Sequence, residues 1–416
     1  MQPWSLTLAT LLLALSVVLA PAQAEPEEGS EELPMAELEL LAEVYSRIKR
    51  DYVEEVSDQE LFHAAIRGML SELDPHSTYL DEQQLSAVQE GARGEFSGIG
   101  LELSRDGDEI RVVAPIDNTP ASRAGVQAGD VIVRVDGEPV RGTQLGEVVR
   151  SLRGEPGTGV EITVRRAAEG EQEQKRFELK RDTIQVESVR SRMLEPGYGY
   201  LRISQFQQRT ASELYTALEE LLEAADGGAL DGLVLDLRNN PGGVLQPSVA
   251  VADAFLTNGT IVYTEGRMRD SEMRFEASPV DRARGVPMVV LINRGSASGS
   301  EIVAGALQDR GRAVIMGQPS FGKGSVQSVL PLDGAAMKLT TARYFTPEGR
   351  SIQDEGIQPD IVVEDLSLTE ADGDASAGPA AVREATAGEE EGLAQEDYVL
   401  HEALSLLKGL RVLKGH

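Results

Sequence analysis

Ser298 lies in the turn Gly295-Ser296-Ala297-Ser298-Gly299-Ser300-Glu301, and Lys323 follows twenty-five residues later within Phe321-Gly322-Lys323-Gly324. A serine hydroxyl becomes a nucleophile when a neighbouring base takes its proton. Histidine is the usual base, but the four histidines, His63, His76, His401 and His416, all lie outside residues 184 to 365. Lysine is therefore the base that the sequence offers. It must be largely neutral to accept a proton, so its pKa has to fall from about 10.4 to roughly 7 or 8. That depression is worth ~4 kcal/mol, which burial can supply. Gln327 is four residues beyond Lys323, a spacing that predicts one shared strand face and lets the glutamine hold the amine in line.

Both residues also have structural explanations. Ser298, three residues before Glu301 and ahead of Ile302, Val303, Ala306 and Leu307, forms a capping box for an amphipathic helix. Lys323 between glycines is the common setting of an exposed turn lysine. Capping and nucleophilicity are compatible, since free N–H groups and the positive dipole at a helix N-terminus favour developing negative charge. Asp236-Leu237-Arg238-Asn239-Asn240-Pro241-Gly242-Gly243 follows an apolar strand and precedes a helix, so its glycine N–H groups can approach a substrate carbonyl. Gly299 offers a second donor.

Other chemistries fit less well. Ser320-Phe321-Gly322-Lys323 matches a Ser-x-x-Lys acyl-enzyme pattern, but Pro319, Gly322 and Gly324 make a poor helix, and no Ser-Asp-Asn or Lys-Thr-Gly accompanies it. His76 with Asp74 as orienter suits a turn better. Neither a His-Glu-x-x-His nor any cysteine appears, so no metal and no cofactor is expected.

The elements that must position these residues emerge from the pattern of the whole chain. Its 416 residues allow several domains, and a net charge of −30 argues against a nucleic-acid partner. Residues 1–24 carry no charged side chain, run apolar from Leu6 to Ala20 and end in Ala22-Gln23-Ala24, which reads as a cleavable export signal. An uncleaved inner-membrane anchor is the alternative. Residues 25–93 form an expected helical module with linker, its periodicity running from Met35 to Leu73 and stopping at Asp74-Pro75. Short alternating strands with glycine turns mark a β-rich domain at 94–182, in which the charged run Ala167 to Lys175 reads as a hairpin loop. Strands then alternate with helices through 183–365, an α/β core. An acidic stretch at 366–396 has a composition that predicts disorder, and residues 397–416 regain a helical apolar face.

Leu73-Asp74-Pro75-His76-Ser77-Thr78-Tyr79-Leu80, the Asp236 to Gly243 turn, Ser296 to Glu301, Phe321 to Gly324 and Gly356-Ile357-Gln358-Pro359-Asp360 occur in a fixed order from about residue 35 to 365. In these motifs the chain resembles the carboxyl-terminal processing peptidases, or tail-specific proteases. The resemblance implies a multidomain α/β protein with a crotonase/Clp-protease-like catalytic core. It assigns Ser298 as nucleophile, Lys323 as general base, Gln327 as its orienter, and Gly243 and Gly299 as the oxyanion hole. The family usually has alanine where this chain has Gly299.

Ser97-Gly98-Ile99-Gly100 and Ala124-Gly125-Val126-Gln127-Ala128-Gly129-Asp130-Val131-Ile132 make the β-rich segment resemble a bacterial PDZ domain. Loop amides at Gly98, Ile99 and Gly100 can then bind a peptide carboxylate while the tail adds a strand beside Leu101. Leu101, Leu145, Val148 and Leu152 are expected to line the pocket for an apolar terminal side chain. The implied function is an exported, periplasmic serine endopeptidase acting on proteins or peptides with apolar C-termini. A PDZ adaptor that has lost catalysis is the alternative. Self-association through the helical module and terminal helix is expected, and some family members also need an adaptor protein.

Overall fold

The computed structural model describes residues 33–168, 171–364 and 397–414. The expected export signal and the acidic stretch at 366–396 lie outside the described residues. The chain divides into two compact units, one ending at Ala65 and one beginning at Ile66.

The first unit contains helix α1 (Met35–Asp51) and most of α2 (Asp58–Ser71). Tyr45 stacks on Phe62 with ring centroids 5.3 Å apart, and Lys49 pairs with Asp58 at 2.8 Å. The apolar stripe of α1 is present, yet no α1 residue is buried.

The second unit begins with β1 (Thr78–Leu80), α3 (Glu82–Arg93) and β2 (Glu95–Gly98). Next come β3 (Leu101–Asp106), β4 (Glu109–Pro115), α4 (Pro120–Ala124), β5 (Val131–Val135), β6 (Glu138–Pro139) and α5 (Leu145–Leu152), then β7 (Gly159–Ala168), β8 (Glu171–Lys180) and β9 (Asp182–Gln185). The sheet order β3-β4-β5-β7-β8 leaves β3 on an edge. Its core is built from Ile110, Ile132, Val148, Ile162 and Val164. β2 and β9 pair with each other where the chain enters and leaves this domain. The run Ala167 to Lys175 is not the loop that its charge suggested. β7 and β8 stay paired up to Ala168 and Glu171, past the last β5 partner at Arg165, since a two-stranded ladder satisfies its backbone groups whatever the charge of the run.

The remainder runs β10 (Val189–Glu195), β11 (Tyr198–Ile203), α6 (Thr210–Ala224), β12 (Gly232–Asp236), α7 (Leu245–Asp253), β13 (Thr260–Gly266), β14 (Arg274–Glu276) and β15 (Met288–Ile292). It continues through α8 (Gly299–Asp309), β16 (Val314–Gly317), β17 (Ser325–Leu332), β18 (Ala335–Phe345), β19 (Ile361–Val362) and α9 (Tyr398–Lys414). In the sheet β10-β11-β12-β15-β16-β19 all neighbours are parallel except β10 with β11. Both of its faces are covered, which is why Leu233 to Leu235 and Met288 to Ile292 are continuous apolar runs. Alternation sends Leu233, Leu235, Val290 and Ile292 toward α6, α7 and α8, and Val234, Val289 and Leu291 toward α9. A separate antiparallel sheet joins β1, β13, β14, β17 and β18.

Candidate active site

Ser298 stands between the end of β15 and the first residue of α8, with φ 54° and ψ −109°. A positive φ is costly for a residue with a side chain, about 1–3 kcal/mol, and persists only where surrounding bonds enforce it. They do so here. The Ser298 N–H donates to Glu301 Oε2 at 2.7 Å, the Ala297 N–H to the Asn240 carbonyl at 3.0 Å, and Ser300 Oγ to that same carbonyl at 2.9 Å.

Glu301 is fully buried and binds more than its own helix start. Its Oε2 also accepts the Lys323 N–H at 2.9 Å, while Oε1 accepts the Gly322 N–H and the Ser320 hydroxyl, each at 2.6 Å. One carboxylate therefore ties the main chain at Ser298 to the main chain at Lys323. Burial raises the Glu301 pKa above its ordinary value, with the four hydrogen bonds pulling the other way. Ser320, the serine of the alternative Ser-x-x-Lys pattern, is buried in a loop, its Oγ also accepting the Ile357 N–H at 2.6 Å.

Lys323 precedes β17. Burial is the main cause lowering its pKa, the nearby charge of Lys338 on β18 acts in the same direction, and Glu301 opposes both. Each influence except the last favours the neutral amine that a base requires. Gln327 departs from expectation. A β-bulge at Val326 and Gln327 breaks the alternation on which a shared face depended, and Lys323 itself lies outside the strand. The Gln327 amide donates to Ser325 Oγ at 2.8 Å and Thr340 Oγ1 at 3.4 Å. Among the described residues, Lys323 Nζ forms no hydrogen bond to Ser298 or Gln327. The Asp74-Pro75-His76 segment is structural here: Asp74 accepts the His76 and Ser77 N–H groups, and Ser77 Oγ accepts the Thr340 N–H at 3.1 Å, pinning β18 behind Gln327.

The turn after β12 faces Ser298 closely. A Cβ on Gly242 would lie 2.8 Å from both the Ala297 carbonyl oxygen and Ser298 Cβ, so only glycine allows this approach. The Gly242 N–H is taken by Asn240 Oδ1 at 2.9 Å. Gly243 is different. The Phe206 N–H donates to the Gly242 carbonyl and the Val244 N–H to the Phe206 carbonyl, a parallel bridge that turns the Gly243 N–H away from Phe206. Gly299 is the first residue of α8, where N–H groups lack helical partners. Its Cα rests against the Phe206 ring, which a Cβ would meet at 2.9 Å. Among the described residues no carbonyl accepts the N–H of Gly243 or of Gly299, and each glycine is a chain neighbour of the close contact between Gly242 and Ser298.

Behind this turn, Asp236 is fully buried and accepts Tyr200 Oη at 2.8 Å, Arg202 Nη1 at 3.2 Å and Arg238 Nη2 at 2.7 Å. Burial, followed by the charge of Asp236, pushes the Tyr200 hydroxyl up to about 12. Asn240, also fully buried, donates through Nδ2 to the Ile203 carbonyl at 3.0 Å and so holds the turn to β11.

In the β-rich domain a cavity of about 230 Å³ opens beside edge strand β3. Gly98, Ile99, Gly100, Leu101 and Leu152 line it with Phe96, Leu103, Val149 and Arg153. Leu145 and Val148 do not. Three residues apart on α5, they share the face turned into the domain's own core, and Val149 comes round to the cavity instead. Arg153 is fixed over the Phe96 ring at 5.4 Å and pairs with Glu90 at 3.4 Å.

Glu301→Gln replaces an acceptor-only carboxylate with an amide whose NH2 must face N–H or O–H donors. Urea unfolding is expected to show a loss of about 2–4 kcal/mol. An unchanged midpoint would contradict the clamp.

Residues 197–363 match the model of peptidase family S41, residues 111–166 that of a PDZ domain, and residues 15–84 that of the activating protease CtpB N-terminal domain. The carboxy-terminal-processing protease of Bartonella bacilliformis is 43% identical over 395 residues, covering 92% of this chain and 90% of that protein. A probable CtpA-like serine protease of Staphylococcus aureus is 36% identical over 339 residues, covering 81% of this chain and 66% of that protein. Among solved structures, the photosystem II D1 C-terminal processing protease is 33% identical, with a TM-score of 0.46 over 79% of this chain and 93% of that one. The chain belongs to peptidase family S41, and it is a serine-type peptidase of the carboxy-terminal-processing kind with a PDZ domain.

Proposed function

We propose that this protein is an exported endopeptidase that captures the apolar C-terminal tail of a substrate on its PDZ domain and cleaves with a Ser298/Lys323 dyad. The observation carrying this reading is the Glu301 carboxylate, which holds the backbone of both residues at once. Ser298 Oγ attacks the peptide carbonyl carbon while its proton passes to neutral Lys323 Nζ. The oxyanion is received by the N–H groups of Gly243 and Gly299. Lys323 returns the proton to the leaving amine, and water then hydrolyses the acyl-enzyme by the same route. The Lys323 side chain reaches Ser298 by rotating about its own bonds, with its backbone still clamped. Gln327 then turns from Ser325 and Thr340 to steady the amine.

The tail enters as an added strand on the free edge of β3, its terminal side chain in the cavity beside Val149 and Leu152 and its carboxylate at the Gly98 to Gly100 amides. Export rests on the uncharged apolar residues 1–24, and the compartment that suits the relatives' processing role is the periplasm. No helix among the described residues is long and apolar enough to cross a membrane.

Three measurements test this reading. A peptide with an apolar free C-terminus is expected to be cleaved by the wild type and not by Ser298→Ala, and amidating that C-terminus should raise KM about tenfold with little change in kcat. Cleavage surviving in Ser298→Ala would reject the dyad; equal KM for acid and amide would reject carboxylate capture. Lys338→Met removes a like charge that disfavours the Lys323 ammonium, so the Lys323 pKa rises and the acidic limb of the pH–rate profile moves to higher pH. A limb that stays in place or moves down would contradict Lys323 as the base.

A further inference from the structure

We propose that Asp397, the residue just before the C-terminal helix α9, is a positioning residue for catalysis that acts through Arg238 on the oxyanion turn. The proposal rests on the reading of the turn through Gly243 as part of the oxyanion site. Arg238 Nη1 and Nη2 donate to the two carboxylate oxygens of Asp397 at 2.8 and 2.6 Å. On its other side, Arg238 Nε and Nη2 donate to Asp236 at 3.0 and 2.7 Å. The guanidinium is thus held between two carboxylates by paired bonds, with only 11% of its side chain exposed. A planar fork bound in this way on two sides has little freedom to tilt.

The residues after Arg238 make up the turn itself. Its own N–H donates to Asp236 Oδ1 at 2.9 Å, Asn239 follows with φ 56°, and Asn240 then sets Gly242, Ala297 and Ser300. Asp236 belongs to β12, whereas Asp397 lies 159 residues from Arg238 along the chain. Helix α9 is seated on the sheet by Val399, Leu400, Ala403, Leu404 and Leu407, so Asp397 is a fixed anchor. The base of the catalytic turn is consequently gripped from both the sheet and the C-terminal helix. Donor groups must meet the oxyanion at about 2.7–3.1 Å, and small displacements there cost rate more than binding.

Asp397 also caps α9, its Oδ1 accepting the Leu400 N–H at 3.0 Å. Asparagine caps helices as well as aspartate does. Asp397→Asn therefore keeps an acceptor for the helix start while removing the charge facing Arg238 and one of the two acceptors of its paired bond. With the full chain and a cleavable peptide, Asp397→Asn is expected to lower kcat about fivefold or more while KM stays within about twofold, and Arg238→Met to lower kcat further. Wild-type kcat in a folded Asp397→Asn protein overturns the proposal, and leaves the turn's role standing if Arg238→Met is slow. Wild-type kcat in both variants overturns the oxyanion reading of the turn as well. If Asp397→Asn fails to fold, Asp397→Ser, another uncharged cap, makes the same comparison.

Discussion

A single buried carboxylate organises the site. Glu301 receives two backbone N–H groups from the Lys323 loop, one from Ser298 and one hydroxyl from Ser320. An ionised carboxylate in a dry interior is tolerable only when its lone pairs are filled, and four charge-assisted hydrogen bonds fill them. The same bonds enforce the positive φ of Ser298 and bring the loop after β16 against the start of α8. Were the carboxylate absent, the N–H groups it binds would be buried without partners, and both segments would have reason to part.

The sheet supplies what Glu301 cannot. Parallel strands β12 and β15 end side by side, so the turns leaving their carboxyl ends meet above the sheet, where open α/β folds place their sites. Asn240 stitches the two turns together through its carbonyl, and Phe206 approaches from β11 to set Gly243 by its backbone and Gly299 by its ring. The polar chain Tyr200, Asp236, Arg238 and Asp397 then fastens this layer to the opposite face of the sheet. Ser298 with Gly299, Lys323 and Gly243 therefore stand on three loops, all referred to one rigid frame.

Much of this was legible in the sequence where a local signal exists. The apolar runs Leu233 to Leu235 and Met288 to Ile292 are strands because both faces of a parallel sheet are buried, and Ser298 with Glu301 announced the start of α8. Helix α3 carries its own local signal, Asp81 with Gln84 as a capping box. Long-range partners were a different matter. Nothing local indicates that Glu301 also binds the Lys323 loop, since that contact depends on the packing of β16 against β15. The shared face expected for Lys323 and Gln327 assumed unbroken alternation, and the bulge at Val326 and Gln327 removes it. Similarly, nothing in the sequence around Val148 says which side of α5 faces the domain core and which faces the groove.

The proposed chemistry requires that Ser298 be a nucleophile whose proton is taken by Lys323. The most direct measurement is covalent labelling by a fluorophosphonate, followed by peptide mapping. Wild-type protein is predicted to carry one adduct, on Ser298, formed faster as pH rises, and Lys323→Ala to label at least about a hundredfold more slowly. Labelling of another serine, or equal rates with and without Lys323, would contradict the account.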